Sequence, residues 1–455
     1  MDMNQHLNFT PTEGQAKALK LITEFIQENN KEDFFILLGF AGTGKTSIAK
    51  AILNTLRANE TEHFINAPTA RATKIISQKT GCYGSTMHSK IYKLDENNIS
   101  DQVVLKYRHN TNEEFAVFIV DEASMVSDVY DPTNEFSTPG SLLGDYIKHV
   151  KQGNPKNKII FIGDNFQLPP VDRSRTFNYS PALSEKHITS KYGYTGSTFL
   201  LTEVKRQESN SGVLQIANNI RNSNEFKSYA NYGIPLFKYN GYTKGVSQAI
   251  NSYMNELDLD ILDKQTMISY TNKDVHFLNR TVRERLGFNN THFHIGDFVT
   301  FQQNWFTMGG DPILNGDIAR VIDVNPTIET NYGQEFQRIK LEIINLDGEV
   351  KLVQSLALIG VLYSDGGKLN NQDEKNMIID ANKYNHNYRN SKNTIDDPFL
   401  SAMRLKHAYA ITCNKAQGGE WDAVYLHNYF PKEDTQRWLY TAVTRARNNV
   451  YSWAA

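Results

Sequence analysis

The chain has 455 residues, 40% of them hydrophobic, enough for several cores and, by length, roughly two to four domains. Its 48 Lys and Arg against 50 Asp and Glu leave a formal charge of -2, which excludes a globally basic nucleic-acid binder; any nucleic-acid path must be a local groove. Two cysteines, Cys82 and Cys413, exclude a disulfide-rich scaffold and a Cys-based zinc site, and with no leader-like N-terminus and no apolar run near about 18 residues the expectation is a cytoplasmic protein without a membrane partner.

In chain order, Thr10-Pro11-Thr12-Glu13 predicts a helix start with Thr10 as N-cap, Pro11 at the first helical position and Glu13 closing a capping box. Ala18, Leu19, Ile22 and Phe25 then form one apolar face. Gln15 falls in the first turn, as a solvated helix position or as an amide able to read a donor and an acceptor edge of adenine. Phe34 to Leu38 reads as a buried strand, Gly39 to Gly44 as a glycine-rich loop, and a helix-period pattern follows. Gly39, Gly44, Lys45 and Thr46 fill the G-x-x-x-x-G-K-[ST] pattern, with Gly42, Thr43 and Ser47 completing the lining. In that pattern backbone N–H groups and the helix N-terminus face a polyphosphate, Lys45 reaches the β- and γ-phosphates and the Thr46 hydroxyl binds Mg²⁺; the plain alternative is a glycine-rich turn with an exposed lysine.

Next come "HFINAP", "FAVFIVDEASM" and "KIIFIGDNFQLPPV", apolar runs that each stop at polar residues. Alternating with helical stretches, they predict an α/β fold with a parallel sheet, whose ligands collect at the carboxyl ends of the strands. Asp121 is placed to hold Mg²⁺ and Glu122 to orient and deprotonate an attacking water, against the alternative of two carboxylates capping a helix. Gly163-Asp164 with Gln167 repeats the arrangement on another strand. "SDVYDPTNEFSTPGS" has no assignable role. From about Arg285 to Pro398 short stretches alternate apolar and polar residues, predicting a small antiparallel barrel in which Phe298, Phe301, Trp305 and Phe306 serve the core rather than stacking on bases. The Asn-rich segment from Asn382 to Asp397 reads as an exposed loop or surface excursion.

The ordered series Gln15, "GFAGTGKT", "APTARATK", "STMHS", "VDEASM", "GDNFQLPPV", "LTEVKRQ", "ISYTNKD", "AYAITCNKAQGGEWD" and "LYTAVTRAR" resembles the superfamily 1 DNA helicases of the RecD and Dda type, over Thr12 to Arg447. The short phage Dda-like members, without a nuclease domain, are the nearest pattern. The resemblance implies two RecA-like P-loop NTPase domains sharing one ATP with Mg²⁺. The first would comprise 1–89 and 115–200, with a pin-like β-hairpin insertion at 90–114; the second 201–285 and 399–455, with an SH3-like β-barrel insertion at 286–398. It implies a catalytic set of Lys45, Glu122, Gln167, Arg206 and Arg445, nucleotide binding by Gln15 and by Gly39, Gly42, Thr43, Gly44, Lys45, Thr46 and Ser47, and metal binding by Thr46 and Asp121.

Single-stranded DNA would be gripped by Pro68, Thr69, Lys74, Thr86 and His88 from the first domain, and by Thr271, Asn272, Thr412, Asn414, Lys415 and Gln417 from the second. Small hydroxyls and lysines suit phosphate oxygens and flat rings suit bases, although each threonine could equally be a helix N-cap. Asn414 stands where the family usually has histidine. The implied function is an ATP-dependent helicase moving 5′ to 3′ on single-stranded DNA and acting at duplex junctions, as a monomer, with replication or recombination proteins as candidate partners. Two rivals stay open: an RNA-directed motor of the same fold, since the grip residues do not sense a 2′-hydroxyl, and a nucleotide-switched binding module that does not unwind.

Overall fold

The computed structural model describes residues 3–7, 9–94, 103–130, 136–171, 176–203, 212–223, 230–237, 242–257, 264–289, 291–306, 313–344, 349–364, 369–427 and 433–453. Arg206 and the expected pin tip around Asn97 and Asn98 lie outside the described residues. The chain forms two compact units: unit 1 holds Met1–Glu225, Gln417–Gly419 and Gln436–Thr444, and unit 2 holds Phe226–Ala416, Glu420–Thr435 and Arg445–Ala455. Among the described residues no helix is long and apolar enough to cross a membrane.

In unit 1, continuous apolar runs become strands buried on both faces. Phe34–Gly39, Ala116–Val120 and Lys158–Gly163 are buried along their whole length. Their side chains alternate between two cores: Phe35, Leu37, Val117, Ile119, Ile160 and Ile162 pack with the helix Lys45–Ala58, while Phe34, Ile36, Phe118, Val120, Ile159 and Phe161 pack with Leu142–Gly153. A strand with no wet face belongs in a parallel sheet covered by helices. The six-stranded sheet is parallel throughout, in the order Gly84–Thr86, Glu62–Ala67, Ala116–Val120, Lys158–Gly163, Phe34–Gly39, Gly196–Leu201. Beside it, Tyr92–Leu94 pairs antiparallel with Val103–Tyr107.

The first helix spans Glu13–Phe25 and its N-cap is Thr12, two residues later than the sequence suggested. The Gln15 N–H donates to Thr12 Oγ1 at 3.3 Å, and the Thr12 N–H donates to Gln15 Oε1 at 3.0 Å. The amide explains the register. Gln15 Nε2 also donates to Thr43 O at 2.9 Å, a bond that a carboxylate such as Glu13 has no proton to make.

Unit 2 contains a second parallel sheet, ordered Leu236–Phe237, Ala446–Trp453, Trp421–Leu426, Gln265–Ser269, Ala410–Thr412. The alternating stretch forms an antiparallel five-stranded sheet, ordered Val350–Leu358, Gln334–Ile344, Ile318–Asn331, Phe298–Phe301, Leu405–His407. Phe301 is buried in the core of this sheet and Trp305 packs on it with its Nε1 donating to Ser401 O; Phe298 is buried in the neighbouring core with Met267, Leu278 and Tyr409, and Phe306 is exposed. The Asn-rich segment is helical rather than a loop. It is nonetheless exposed along most of its length; Asn385 and Asn393 cap His386–Ser391 and Thr394–Asp396, while Asn382, Asn387 and Asn390 lie within helices.

The unassigned segment after Glu122 is pinned by one buried carboxylate. Asp128 accepts from Lys191 Nζ at 2.8 Å and from Ser141 Oγ and Tyr192 OH at 2.5 Å, and pairs with His187 Nε2 at 2.5 Å. Burial works against its charge, yet the bonds from Lys191, Ser141, Tyr192 and His187 hold the carboxyl below the ordinary carboxylate range. Asp128→Asn should destabilise the fold at pH 7 by about 3–5 kcal/mol, because it strands several donors around a removed charge. A carboxyl with a depressed folded pKa contributes fully above its unfolded pKa of about 4 and loses that contribution as pH falls through the folded value. Urea unfolding of wild type and variant should therefore show a gap at pH 7 that narrows below about pH 4; a constant gap would contradict the charge-based account.

Candidate functional site

The loop between Phe34–Gly39 and Lys45–Ala58 is built on glycine geometry. Gly42 and Gly44 have φ of 79° and 83°, the left-handed region. A Cβ on Gly39 would lie 2.5 Å from Thr43 Oγ1, and one on Gly44 would lie 2.5 Å from Gln15 Nε2. Thr43 Oγ1 donates to Phe40 O at 2.8 Å, and Lys45 Nζ donates to Gly39 O at 2.7 Å and Phe40 O at 3.1 Å. The ammonium is thus folded onto the first half of its own loop. Thr46 and Ser47 open the following helix and are partly buried. Gln15 is only 1% exposed, so it is not a solvated position; its amide braces the loop through Thr43 O.

Asp121 and Glu122 leave the end of Ala116–Val120. The Asp121 N–H donates to Asn66 O at 2.9 Å, tying this strand end to the neighbouring one. Burial, reinforced by the Glu122 charge, pushes the Asp121 carboxyl up to about 7, against the Glu122 N–H and the Lys45 and Lys79 charges. Glu122 has φ of 50°, a left-handed conformation unusual for a residue with a Cβ.

The end of Lys158–Gly163 carries a denser network. Asp164 Oδ1 accepts from the Phe166 N–H at 2.9 Å, and Asp164 Oδ2 accepts from Tyr440 OH at 2.7 Å. The Tyr440 hydroxyl also accepts the Ala41 N–H of the loop at 2.9 Å, so one phenol joins two strand ends. Thr441 Oγ1 accepts from the Leu168 N–H, and Gln417 Nε2 donates to Leu168 O, both at 2.9 Å. Gln417 is therefore buried within unit 1, and Gly418 follows so tightly that a Cβ would come within 2.8 Å of Ala72. Gln167 is 4% exposed, and its Oε1 has no hydrogen-bond partner among the described residues.

The threonines assigned to DNA share one position. Thr69, Thr86 and Thr271 are N-caps that accept from Ala72, Ser89 and Asp274 N–H groups, and Thr412 Oγ1 accepts from the Lys415 N–H at 3.4 Å. Each stands at the carboxyl end of a parallel strand and the start of a helix. Around them Pro68 and Lys74 are partly buried and His88 is exposed, its ring 5.9 Å from that of Tyr92. In unit 2, Asn272 and Asn414 are exposed and Lys415 Nζ donates to Gln302 Oε1 at 2.9 Å, while Arg445 is buried and its carbonyl accepts the Trp421 N–H. Sequence reasoning missed Tyr440, Thr441 and Gln302. The first two lie in "LYTAVTRAR", but nothing in that string says that a hydroxyl reaches Ala41 or Leu168.

Residues 11–233 match the AAA domain family and residues 407–451 match the UvrD-like helicase C-terminal domain. The chain is similar to the ATP-dependent DNA helicase dda of Enterobacteria phage T4, with 28% identity covering 97% of this chain and 98% of that one. It is also similar to the ATP-dependent RecD2 DNA helicase of Deinococcus radiodurans, 23% identical over 92% of this chain and 46% of that one. In fold it is similar to a Pif1 helicase from Bacteroides in complex with ADP-AlF3 and ssDNA, with a TM-score of 0.50 and 18% identity covering 98% of this chain and 92% of that one.

Gly44→Ala should destabilise the protein by about 1–3 kcal/mol, because it forces a Cβ into the left-handed region and against Gln15. Gly212→Ala, whose Cβ would meet nothing within 4 Å, is the control and should change stability by less than about 1 kcal/mol. Thermal unfolding of the two variants decides it; equal effects would remove the steric argument for the loop.

Proposed function

We propose that the chain is a superfamily 1 helicase of the RecD and Dda type, which couples ATP hydrolysis to movement along single-stranded DNA and separates duplex DNA from a 5′ tail. The observation that carries the reading is Lys45 held on two carbonyl oxygens of its own phosphate loop. Those oxygens occupy the ammonium as the β- and γ-phosphate oxygens of ATP would.

Thr46 and Asp121 offer hydroxyl and carboxylate oxygens, the donor set a hard divalent cation takes. Mg²⁺ bound there neutralises phosphate charge. Glu122 takes one proton from the attacking water, and Gln167 Oε1, which has no donor among the described residues, accepts a hydrogen bond from the O–H that remains. Arg206 and Arg445 stabilise charge on the terminal phosphate, a role in which arginine contributes about 10³ to 10⁵ in rate. Thr69, Thr86, Thr271 and Thr412, each at a helix N-terminus that favours anions, hold DNA phosphates with Lys74 and Lys415, while Pro68, His88, Asn272 and Asn414 meet sugars and bases. Gln417 is left out of that set because its amide is committed to Leu168 O. The strand pair Tyr92–Leu94 and Val103–Tyr107 is assigned as the separating pin, and the antiparallel sheet of unit 2 as an SH3-like accessory domain.

The deciding measurement is ATP hydrolysis without nucleic acid, with single-stranded DNA and with single-stranded RNA, followed by unwinding of duplexes bearing a 5′ or a 3′ tail. DNA-stimulated turnover and unwinding from the 5′ tail alone are expected. Stimulation by RNA only, or turnover without strand separation, would replace the proposal with one of its rivals. Lys45→Ala should abolish turnover, and Glu122→Gln should lower kcat by about 10²- to 10⁴-fold while leaving nucleotide affinity near wild type. Loss of nucleotide binding in Glu122→Gln would remove its assignment as the base.

A further inference from the structure

Arg221 ends the helix Gly212–Arg221 and belongs to none of the sets above. Its guanidinium lies over the Phe40 ring, 3.9 Å from the centroid. Phe40 directly follows Gly39 in the phosphate loop, and its carbonyl accepts Lys45 Nζ at 3.1 Å. Two cations therefore converge on one loop residue. The next residue gives its N–H to Tyr440, and the Arg221 charge is near enough to pull against the burial and the Asp164 carboxylate that push the Tyr440 phenol far up.

An arginine at a helix end has ordinary explanations: a cation in the last turn suits the helix dipole, and a guanidinium over a ring gains by stacking. Both leave Nη1 unexplained. That nitrogen is buried and has no hydrogen-bond partner among the described residues. A charged N–H withdrawn from water calls for an acceptor, and beside a second cation the fitting acceptor is an anion. Arg221 Nε donates to Asn222 Oδ1 at 3.4 Å, and the backbone beneath the side chain is held in place. Gln436 Nε2 donates to Ser223 O at 2.5 Å and Ile220 O at 3.5 Å, fixing the helix end on which Arg221 stands.

We propose that Arg221 reads the terminal phosphate of a nucleoside triphosphate, binding it through Nη1 at the Phe40 end of the loop. The inference rests on the nucleotide reading of unit 1. The terminal phosphate follows from Lys45: an ammonium that serves the β- and γ-phosphates is held at Gly39 and Phe40, so this half of the loop takes the outer phosphates. A diphosphate offers Nη1 no oxygen there. Arg221 thus distinguishes the state before hydrolysis from the state after it, from within the unit that carries the loop.

The test titrates fluorescent ADP and a non-hydrolysable ATP analogue, each with Mg²⁺, into the full-length wild type, Arg221→Met and Arg221→Lys, with thermal midpoints measured in parallel. Methionine keeps an apolar chain against Phe40 and removes the charge. The expected result for Arg221→Met is a loss of about 10- to 100-fold in affinity for the ATP analogue, the range for one hydrogen bond to a charged group, with ADP affinity within about twofold of wild type. Arg221→Lys should recover part of the loss. Equal weakening of both nucleotides, or of neither, would overturn the proposal. A wild type that binds neither nucleotide would overturn the underlying reading of unit 1 and this inference with it.

Discussion

A strand buried on both faces can present polar groups only at its ends, and in a parallel sheet all carboxyl ends lie along one edge. The architecture of unit 1 depends on that constraint. Phe34–Gly39, Ala116–Val120 and Lys158–Gly163 have no exposed side chain between their termini, so the loop, Asp121 with Glu122, and Asp164 with Gln167 must gather on a common edge. The helix caps Thr69 and Thr86 follow the two remaining strands on that side of the sheet. Unit 2 repeats the arrangement with Thr271 and Thr412.

What was legible in the sequence was local. The phosphate loop is a contiguous string whose glycines have a steric reason, and the apolar runs that stop at carboxylates mark strands without knowledge of their neighbours. The misplaced helix start shows the limit of local reading. Thr10 with Glu13 and Thr12 with Gln15 are equivalent as capping boxes, and the choice is made by Thr43 O, a group supplied by another element. Tyr440 is separated from Ala41 by 399 positions, and no periodicity or motif spacing encodes such a contact. In the Asn-rich segment composition gave the exposure correctly but not the helices, because position along the chain decides whether an asparagine breaks a helix or starts one.

Unit 2 buries a complete ion pair. Arg283 and Asp297 are both fully buried, joined at 2.9 Å through Nη2 and at 3.1 Å through Nε, with Tyr409 OH donating to the same carboxylate. Burial pushes the Asp297 carboxyl up, and the arginine opposes it. The pair joins the helix Asn272–Arg285, beside the parallel sheet, to the start of Phe298–Phe301 in the antiparallel one. Lys415 reaching Gln302 makes a second tie between the same two parts. The inserted sheet is thus fastened to the last turn of the helix that Thr271 caps and to the first turn of the helix that follows Thr412.

Glu122 stands in a conformation that costs a residue with a Cβ roughly 1–2 kcal/mol. Glycine would occupy that backbone without strain, and asparagine with little. Stability alone would therefore drift the position away from glutamate, while a demand for a carboxylate at that strand end opposes the drift. Under the proposed role of Glu122 as base, variants selected only for heat resistance would lose turnover by changes here, whereas changes at Glu60, Tyr332, Lys392 or Asp434, which share the left-handed backbone, would relieve strain without that loss.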